Sequence, residues 1–258
     1  MLHPLTIQQV SNFRHACSFE QVFGSKIQNA LDTYGLNDPI HRFWLCTNES
    51  SSPCAALFLN VDVLIISNLE HTSPKDILTV LDAHPVHEID CSWELCQKLH
   101  SLKGGYTDSS YYMVYQGPVI SDLFPNIVPA QFPEVFRVLQ ESHEYYRTHL
   151  QYDIWAADLT SRIAKGFTQV YQLEQDGKVV GTGSIFSQDD SCGVLAAIAV
   201  VPEYRHRGLG TYISRFLVSQ IQKMNKTPRL ISGYDEVAEL YKKINFVPCG
   251  RWGELYLD

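Results

Sequence analysis

The sequence lacks the features that mark secreted, membrane-spanning and nucleic-acid-binding proteins. Its first twenty residues contain no basic stretch followed by an apolar core, so they do not predict a secretory signal. No apolar run reaches the roughly 20 residues that a membrane-spanning helix needs. Acidic residues exceed basic ones by 28 to 20, which gives a formal net charge of −8. We therefore expect a cytoplasmic protein whose partners include neither nucleic acid nor membranes.

Cysteine is present, but not in the spacings that build a metal cage or a disulfide framework. The seven cysteines form no C-x-x-C pair, and their number is odd. Zinc sites and disulfide-stapled domains normally show paired cysteines at short spacings. We therefore predict no bound metal, and we expect most of the cysteines to be small buried apolar residues.

Length and composition predict a packed globular protein with one large domain or two ordinary ones. The 258 residues are 45% hydrophobic and 19% charged. Glycine and proline punctuate the chain over residues 117–129, which indicates a boundary there. We predict an N-terminal α/β domain over residues 1–117 and a second α/β domain over residues 118–258.

The C-terminal half shows helical and strand periodicities in alternation. Asp176-Gly177 is a strong hairpin-turn signal between two of the strands. The order of elements predicts an α/β fold with a mixed central sheet flanked by helices. The predicted helices cover residues 132–146, 152–165, 208–224 and 235–244, and the predicted strands cover residues 168–173, 179–186, 192–201, 229–232 and 246–257.

The N-terminal half repeats nearly the same order of elements. Residues 93–99 resemble residues 238–244, since both segments carry Glu-Leu and a trailing lysine. These observations favour an internal duplication whose two copies have diverged. Two unrelated α/β segments would also fit, because Glu-Leu and lysine are common in any helix. The predicted strands cover residues 43–46, 53–59, 61–67, 86–91 and 111–116, and the predicted helices cover residues 74–83 and 93–99.

One stretch carries chemistry: the turn between the strand over residues 192–201 and the next helix. It reads Arg205-His206-Arg207-Gly208-Leu209-Gly210-Thr211. Glycines leave the backbone accessible, the first amides of a helix lack intrahelical partners, and the helix dipole favours an anion there. A diphosphate is the natural ligand. The third glycine of the dinucleotide fingerprint and the lysine of the P-loop are both missing.

The pattern Arg-x-x-Gly-x-Gly after an apolar strand that ends in Val-Pro resembles the acetyl-CoA motif of the GCN5-related N-acetyltransferase (GNAT) superfamily. Residues 235–246 also resemble a helix of that superfamily in which Ala, then Leu-Tyr, then Lys precede a Phe. Residues 174–183 resemble the superfamily's paired strands. The likeness covers roughly residues 126–258. It implies a splayed GNAT-like sheet, with acetyl-CoA as co-substrate. The N-terminal half has no counterpart of the glycine motif, so we expect a degenerate, non-catalytic copy that does not bind CoA.

The resemblance also implies roles for individual residues. Tyr241 stands at the family's tyrosine position, where the phenol protonates the leaving sulfur. A backbone N–H near residues 199–201 is the expected donor to the thioester carbonyl. Asp235 replaces the usual Asn and, when ionised, cannot donate a hydrogen bond. The implied cofactor contacts are Ala199, Val200, Val201, Arg205, His206, Arg207, Gly208, Leu209, Gly210, Thr211, Asp235 and Tyr241.

The general base is the least determined part of the prediction. Many family members carry an acid on the strand before the glycine loop, but residues 195–200 contain none. His143, with an intrinsic pKa of about 6.5, and Glu141 are our candidates. A water chain or an amine of low pKa would also suffice. Further acids on the same predicted helices are Glu144, Asp153 and Asp158.

These inferences predict an N-acetyltransferase. We expect direct attack by a primary amine of a small molecule, such as an amino acid, a polyamine or an aminoglycoside-like compound, in a ternary complex with acetyl-CoA. The alternatives are a catalytically silent acyl-CoA sensor or interaction module, and a protein N-acetyltransferase. We expect a monomer or a homodimer.

Overall fold

The computed structural model describes residues 1–69 and 72–257, which cluster into two compact units. Unit 1 comprises Met1–Tyr112, Ser232–Asp235 and Pro248–Asp258. Unit 2 comprises Met113–Ile231 and Glu236–Val247. The division therefore lies near the boundary expected after residue 117, but two later segments of the chain cluster with the first unit.

The secondary structure alternates between strands and helices along the whole chain. From the start to Tyr115 the elements are β1 (Leu2–Pro4), α1 (Val10–Cys17), α2 (Gln21–Tyr34), β2 (Arg42–Thr47), β3 (Pro53–Asn60), β4 (Val63–Asn68), α3 (Pro74–Ala83), β5 (Glu88–Ser92), α4 (Trp93–Lys103) and β6 (Tyr106–Tyr115). The later elements are β7 (Ile127–Pro129), α5 (Phe132–Ser142), α6 (Glu144–His149), α7 (Tyr152–Ala164), β8 (Gln169–Gln175), β9 (Lys178–Gln188), β10 (Cys192–Val200), α8 (Leu209–Lys223), β11 (Thr227–Ile231), α9 (Asp235–Lys242) and β12 (Phe246–Tyr256).

Unit 1 is built on a mixed sheet whose last strand comes from the end of the chain. β1 to β4 pair antiparallel in sequence order, and β5 joins β4 in parallel. The end of β12 then pairs antiparallel with β5, from Trp252 opposite Ser92 to Tyr256 opposite Glu88. This pairing explains why the C-terminal residues cluster with unit 1.

Unit 2 repeats that arrangement. β7, β8, β9 and β10 pair antiparallel in sequence order, and β11 joins β10 in parallel. α8 packs closely on β9, since a Cβ at Gly183 would lie 2.5 Å from the Ile213 side chain. Each unit therefore has a three-strand antiparallel meander with an extra edge strand, then a helix, a parallel strand and a helix, as the predicted duplication requires.

Three features differ from the sequence prediction. The predicted helix over residues 132–146 is interrupted at His143, whose extended backbone (φ −151°, ψ 139°) ends α5 before α6 begins. The segment before Arg42, to which the sequence analysis assigned no element, forms α1 and α2, which bury Phe13, Phe23 and Ile27. β6 begins at Tyr106, five residues earlier than predicted.

No helix in the described part of the chain is long and apolar enough to cross a membrane.

Three carboxyl groups meet inside the sheet of unit 1. Glu88 and Asp90 lie two residues apart on β5 and so share a face, and Glu254 on β12 is opposite Asp90. Oxygens of the three groups lie within 4.8 Å of one another. Lys26 Nζ on α2 lies 3.8 Å from Asp90 Oδ2. Burial and the neighbouring Asp90 raise the pKa of Glu88 to about 7. Burial also raises the pKa of Glu254 to about 7.

These shifts predict that unit 1 loses stability as pH rises. The folded protein holds the Glu88 proton up to about pH 7, whereas an unfolded chain releases it near pH 4.3. The free energy of unfolding therefore falls as pH rises from about 4 to about 7. Above about pH 7 the folded protein bears the full cost of an ionised Glu88. Glu88→Gln should raise the free energy of unfolding at pH 8 by about 1 to 3 kcal/mol and change it little near pH 4.

Urea unfolding of the intact protein at both pH values measures this difference. Glu49→Gln is the control, because Glu49 lies in the exposed turn between β2 and β3. An equal effect of Glu88→Gln at pH 4 and pH 8 would contradict the expectation.

Candidate functional site

The sheet of unit 2 opens between its two parallel strands. β10 and β11 pair over only four residues each, from Cys192 opposite Thr227 to Leu195 opposite Leu230. β10 continues to Val200, but among the described residues none of its positions after Leu195 pairs with β11. The carbonyls of Ala196 and Val200 accept hydrogen bonds from Ser184 Oγ and Arg205 Nε. The other backbone groups on this edge of the stretch face an opening rather than a neighbouring strand, and they can pair with an extended ligand.

A bulge in β10 reorients the strand at the start of this opening. The register against β9 shifts between Ala196 and Ala199, and Ala197 takes a left-handed conformation with φ 51°. Ser184 Oγ on β9 donates a hydrogen bond to the Ala196 carbonyl at 2.9 Å and so holds the bulge. Bulges near functional sites commonly redirect the residues that follow them.

The backbone N–H groups of Ala199, Val200 and Val201, the predicted donors to the thioester carbonyl, do not all point to the same edge of the strand. The Val201 amide donates to the Val180 carbonyl on β9 at 3.0 Å, so it is already engaged. Successive residues of a strand direct their backbone polar groups to opposite edges. Ala199 therefore points the same way as Val201, and Val200 points toward the opening. The N–H of Val200 is thus the donor of the predicted set that is best placed for a ligand atom there.

The turn after β10 presents the start of α8 to solvent. His206 (φ 60°) and Gly208 (φ 78°) adopt left-handed conformations that bring the chain sharply into the helix. Gly208 offers the first turn no side-chain cap, and the first N–H with an intrahelical partner is that of Tyr212, 3.0 Å from the Gly208 carbonyl. A Cβ at Gly208 or Gly210 would meet only open space. The amides of residues 209–211 therefore form an accessible anion site.

Two arginines stabilise the turn through backbone carbonyls. Arg205 Nε donates to the Val200 carbonyl at 3.1 Å, and its Nη2 donates to the Ser142 carbonyl at 2.7 Å. Arg205 thereby links the end of β10 to the end of α5. Arg207 donates to the Glu203 carbonyl at 2.9 Å and stacks over the Tyr204 ring at 4.9 Å. Both guanidinium groups add positive charge next to the exposed start of α8.

Tyr241 keeps its proton throughout the physiological pH range. The side chain on α9 is half-buried, with its ring 5.7 Å from that of Phe246 in an edge-to-face contact. Burial raises the pKa of Tyr241 to about 12. No hydrogen-bond partner of the hydroxyl is found among the described residues. A protonated phenol without a partner can donate a proton to a ligand atom.

The predicted base candidates lie on α5 and at its end. Glu141 accepts two hydrogen bonds from Arg137 Nη1, at 3.0 and 3.1 Å, so a guanidinium occupies its carboxylate. His143 is exposed, and its ring lies 6.2 Å from that of Tyr146. Of the further acids on these helices, Asp158 pairs with Arg162. Which of these groups accepts a proton stays a prediction.

Glu141 and Val201 line one cleft in unit 2, with a volume of about 610 Å³. The cleft carries four carboxylates and two basic groups, so its net charge is negative. Sequence reasoning did not find this cleft, because its members come from α5, the β8–β9 hairpin and the turn after β10. The charged groups are Glu134, Arg137, Glu141, Glu174, Lys178 and Glu203.

Asp235, at the start of α9, clusters with unit 1. Its carboxylate lies 3.9 Å from Arg251 Nη2, and Ser110 Oγ donates to it at 3.5 Å. Both neighbours also belong to unit 1. The Asp235 carboxylate is therefore engaged by protein groups.

In unit 1 the corresponding strands also pair only briefly: β4 and β5 pair over three residues each, from Val63 opposite Glu88 to Ile65 opposite Asp90. Beyond the parallel pairing of β4 with β5, Asn68 Nδ2 donates to Ser92 Oγ at 3.0 Å and bridges the two strands. α3, the counterpart of α8, begins with Pro74, which has no N–H to offer an anion. Two residues of the intervening loop, Glu70 and His71, lie outside the described residues. These features support the expectation that unit 1 does not bind CoA.

Comparison with known proteins identifies the same family. Residues 132–246 match the model of the acetyltransferase (GNAT) family. This segment contains the open strand pair, the glycine turn and Tyr241. No curated protein matches the chain in sequence.

Solved structures match nearly the whole chain at low sequence identity, and so they bear on the fold alone. A Drosophila protein covers 98% of this chain and 98% of its own, at 13% identity and a TM-score of 0.64. A GCN5-related N-acetyltransferase from Kribbella flavida covers 93% and 95%, at 11% identity and 0.62. A tandem GNAT protein from the clavulanic acid biosynthesis pathway covers 98% and 97%, at 10% identity and 0.61. The two-unit arrangement is thus that of a tandem GNAT fold.

The link made by Arg205 generates a test. Arg205→Gln removes the hydrogen bonds to Val200 and Ser142, so amides in residues 143–149 and 199–204 should exchange hydrogen several-fold faster in the intact protein, as mass spectrometry measures. Arg207→Gln is the matched control, because Arg207 contacts only its own turn. Equal changes in both variants would mean that Arg205 does not link α5 to β10.

Proposed function

Because residues 132–246 belong to the acetyltransferase (GNAT) family, we propose that this chain transfers an acetyl group from acetyl-CoA to a primary amine of a small molecule. The observation that carries the proposal is the opening beyond Leu195, which ends beside the free amides of residues 209–211. Such an arrangement fits a ligand with an extended, amide-containing arm and a diphosphate. The residues present therefore fit acetyl-CoA.

Each part of the site has a role in this reaction. Acetyl-CoA supplies an activated acetyl thioester. The amides of residues 209–211 bind the diphosphate, and the open edge of β10 pairs with the amide groups of the arm. The N–H of Val200 donates to the thioester oxygen as negative charge develops there. The bond from nitrogen to the acetyl carbon forms, the carbon–sulfur bond breaks, and Tyr241 protonates the sulfur.

The acidic cleft supports an amine as the acceptor. Its four carboxylates and two basic groups attract a protonated amine. The amine must lose its proton before it attacks, and His143 or Glu141 is the group we place in this role. His143 is the alternative to Glu141, whose carboxylate accepts two hydrogen bonds from Arg137. Amino acids, polyamines and aminoglycoside-like compounds are the acceptor classes we favour.

Two other functions compete with this proposal. A silent acyl-CoA sensor is favoured by the absence of an acid on β10. A protein N-acetyltransferase would take a basic peptide into the acidic cleft. We place the activity in the cytoplasm, in a monomer or a homodimer, without a metal, nucleic acid or membrane as partner.

Binding of acetyl-CoA tests the central claim. Titration calorimetry of the intact protein should show one acetyl-CoA per chain, since at the equivalent place in unit 1 Asn68 bridges the strands and Pro74 lacks an N–H. Gly210→Leu should weaken binding at least tenfold, because the added side chain projects into the open space over the amides. Gln220→Leu is the control, because it adds a leucine to the same helix near its other end, away from the amides of residues 209–211.

Thermal unfolding checks that Gly210→Leu still folds. Binding that survives in this variant, or two molecules bound per chain, would contradict the proposed site. Binding without release of free thiol from acetyl-CoA, over a panel of amines and a basic peptide, would favour the sensor.

The role of Tyr241 predicts a specific kinetic change. Tyr241→Phe keeps the ring contact with Phe246 but removes the proton donor, so kcat should fall by roughly 10²-fold or more while acetyl-CoA affinity stays unchanged. Because the pKa of Tyr241 is raised to about 12, the wild-type rate should show no decline from this group up to pH 10. A kcat that is unchanged in the variant would exclude Tyr241 as the acid.

A further inference from the structure

Two cysteines of unit 1 face each other across a hairpin that the proposed function does not use. Cys46 lies near the end of β2 and Cys54 near the start of β3. The register pairs Cys46 with Ala55 and Thr47 with Pro53, so Cys54 is an extra residue in a β-bulge. In a bulge two residues of one strand oppose a single residue of the other. Cys54 and Ala55 therefore both face Cys46.

The two thiols lie close together. The Cys46 and Cys54 side chains interact strongly enough to shift each other's pKa, and Cys46 Sγ donates to Asp76 Oδ2 at 3.6 Å. Both cysteines belong to one core cluster, with exposed fractions of 0% and 4%. Facing residues of antiparallel strands have Cα atoms about 4.5 to 5.5 Å apart, which lies within the range of about 4.4 to 6.8 Å that disulfides span. The strand spacing at this bulge therefore suits a bond between the two sulfurs.

We propose that Cys46 and Cys54 form a reversible disulfide when the protein is exposed to a hydroperoxide. The Cys54 thiolate attacks a peroxide oxygen, and the products are a sulfenic acid and one water. The Cys46 sulfur then attacks the sulfenic sulfur, which expels the second water. Two thiols and one hydrogen peroxide thus give one disulfide and two waters, and the two electrons pass from the sulfurs to the peroxide.

Cys54 is the sulfur that reacts first. Interaction with the Cys46 thiol lowers the pKa of Cys54 to about 7, so a large fraction is thiolate at neutral pH. The pKa of Cys46 is raised by the same interaction and by burial. Cys54 also lies two residues after Ser52 in an exposed turn, where local opening admits a small oxidant more readily than in the sheet interior.

A second thiol pair provides a matched control within the same core. The side chains of Cys91 on β5 and Cys96 on α4 also shift each other's pKa, but both are fully buried. Gly253 packs against this pair so closely that a Cβ there would lie 2.8 Å from Cys96 Sγ. Peroxide should therefore oxidise the Cys46–Cys54 pair before the Cys91–Cys96 pair.

Peptide mapping tests the proposal on the full-length protein. Hydrogen peroxide is added, remaining thiols are alkylated under denaturing conditions, and a protease that cleaves after glutamate separates the two cysteines at Glu49. The expected result is a linked pair of peptides containing Cys46 and Cys54. Two of the seven thiols should be lost and should return on treatment with dithiothreitol.

Variants make the result specific. Cys54→Ala and Cys46→Ala should each abolish the linked peptides, whereas Cys91→Ala combined with Cys96→Ala should retain them. Wild-type protein in which Cys46 and Cys54 are both alkylated after peroxide would overturn the proposal. So would a Cys91–Cys96 bond formed first, or oxidation confined to the exposed Cys249. The wild-type map decides the matter even if a variant fails to fold.

Discussion

The proposed function of unit 2 depends on backbone groups of β10 that β11 leaves unpaired. A strand in the middle of a sheet normally pairs on both edges, because buried N–H and C=O groups without partners are costly. β10 pairs with β9 along its length but leaves β11 after Leu195. Those groups need a partner, and an extended ligand is the one that the opening admits. The bulge held by Ser184 sets where the opening begins and directs Val200 into it.

The same fold in unit 1 differs from unit 2 at a few positions around the corresponding place. β4 and β5 repeat the parallel pairing of β10 and β11, and α3 repeats the position of α8. One amide side chain, that of Asn68, spans the strands, and Pro74 removes an N–H from the start of the helix. Architecture has thus been kept in both units, and the differences lie in the Asn68 bridge and in the start of the helix.

Unit 1 has its own chemistry instead. Its sheet holds three carboxyl groups near one another, two with a pKa of about 7, and its core cluster holds four cysteines, Cys46, Cys54, Cys91 and Cys96. Such buried groups are compatible with the fold provided that they remain neutral or paired.

The sequence by itself determined what is local. The glycine turn, the helix behind it, the Asp176-Gly177 hairpin and Tyr241 were all predicted, because spacing and turn chemistry act over a few residues. Tertiary structure alone decided the membership of residues 248–258 in unit 1, the Asn68 bridge, the acidic cleft and the facing of Cys54 toward Cys46. Each of these depends on strand register or on contacts between distant segments, and periodicity along one segment carries no information about either.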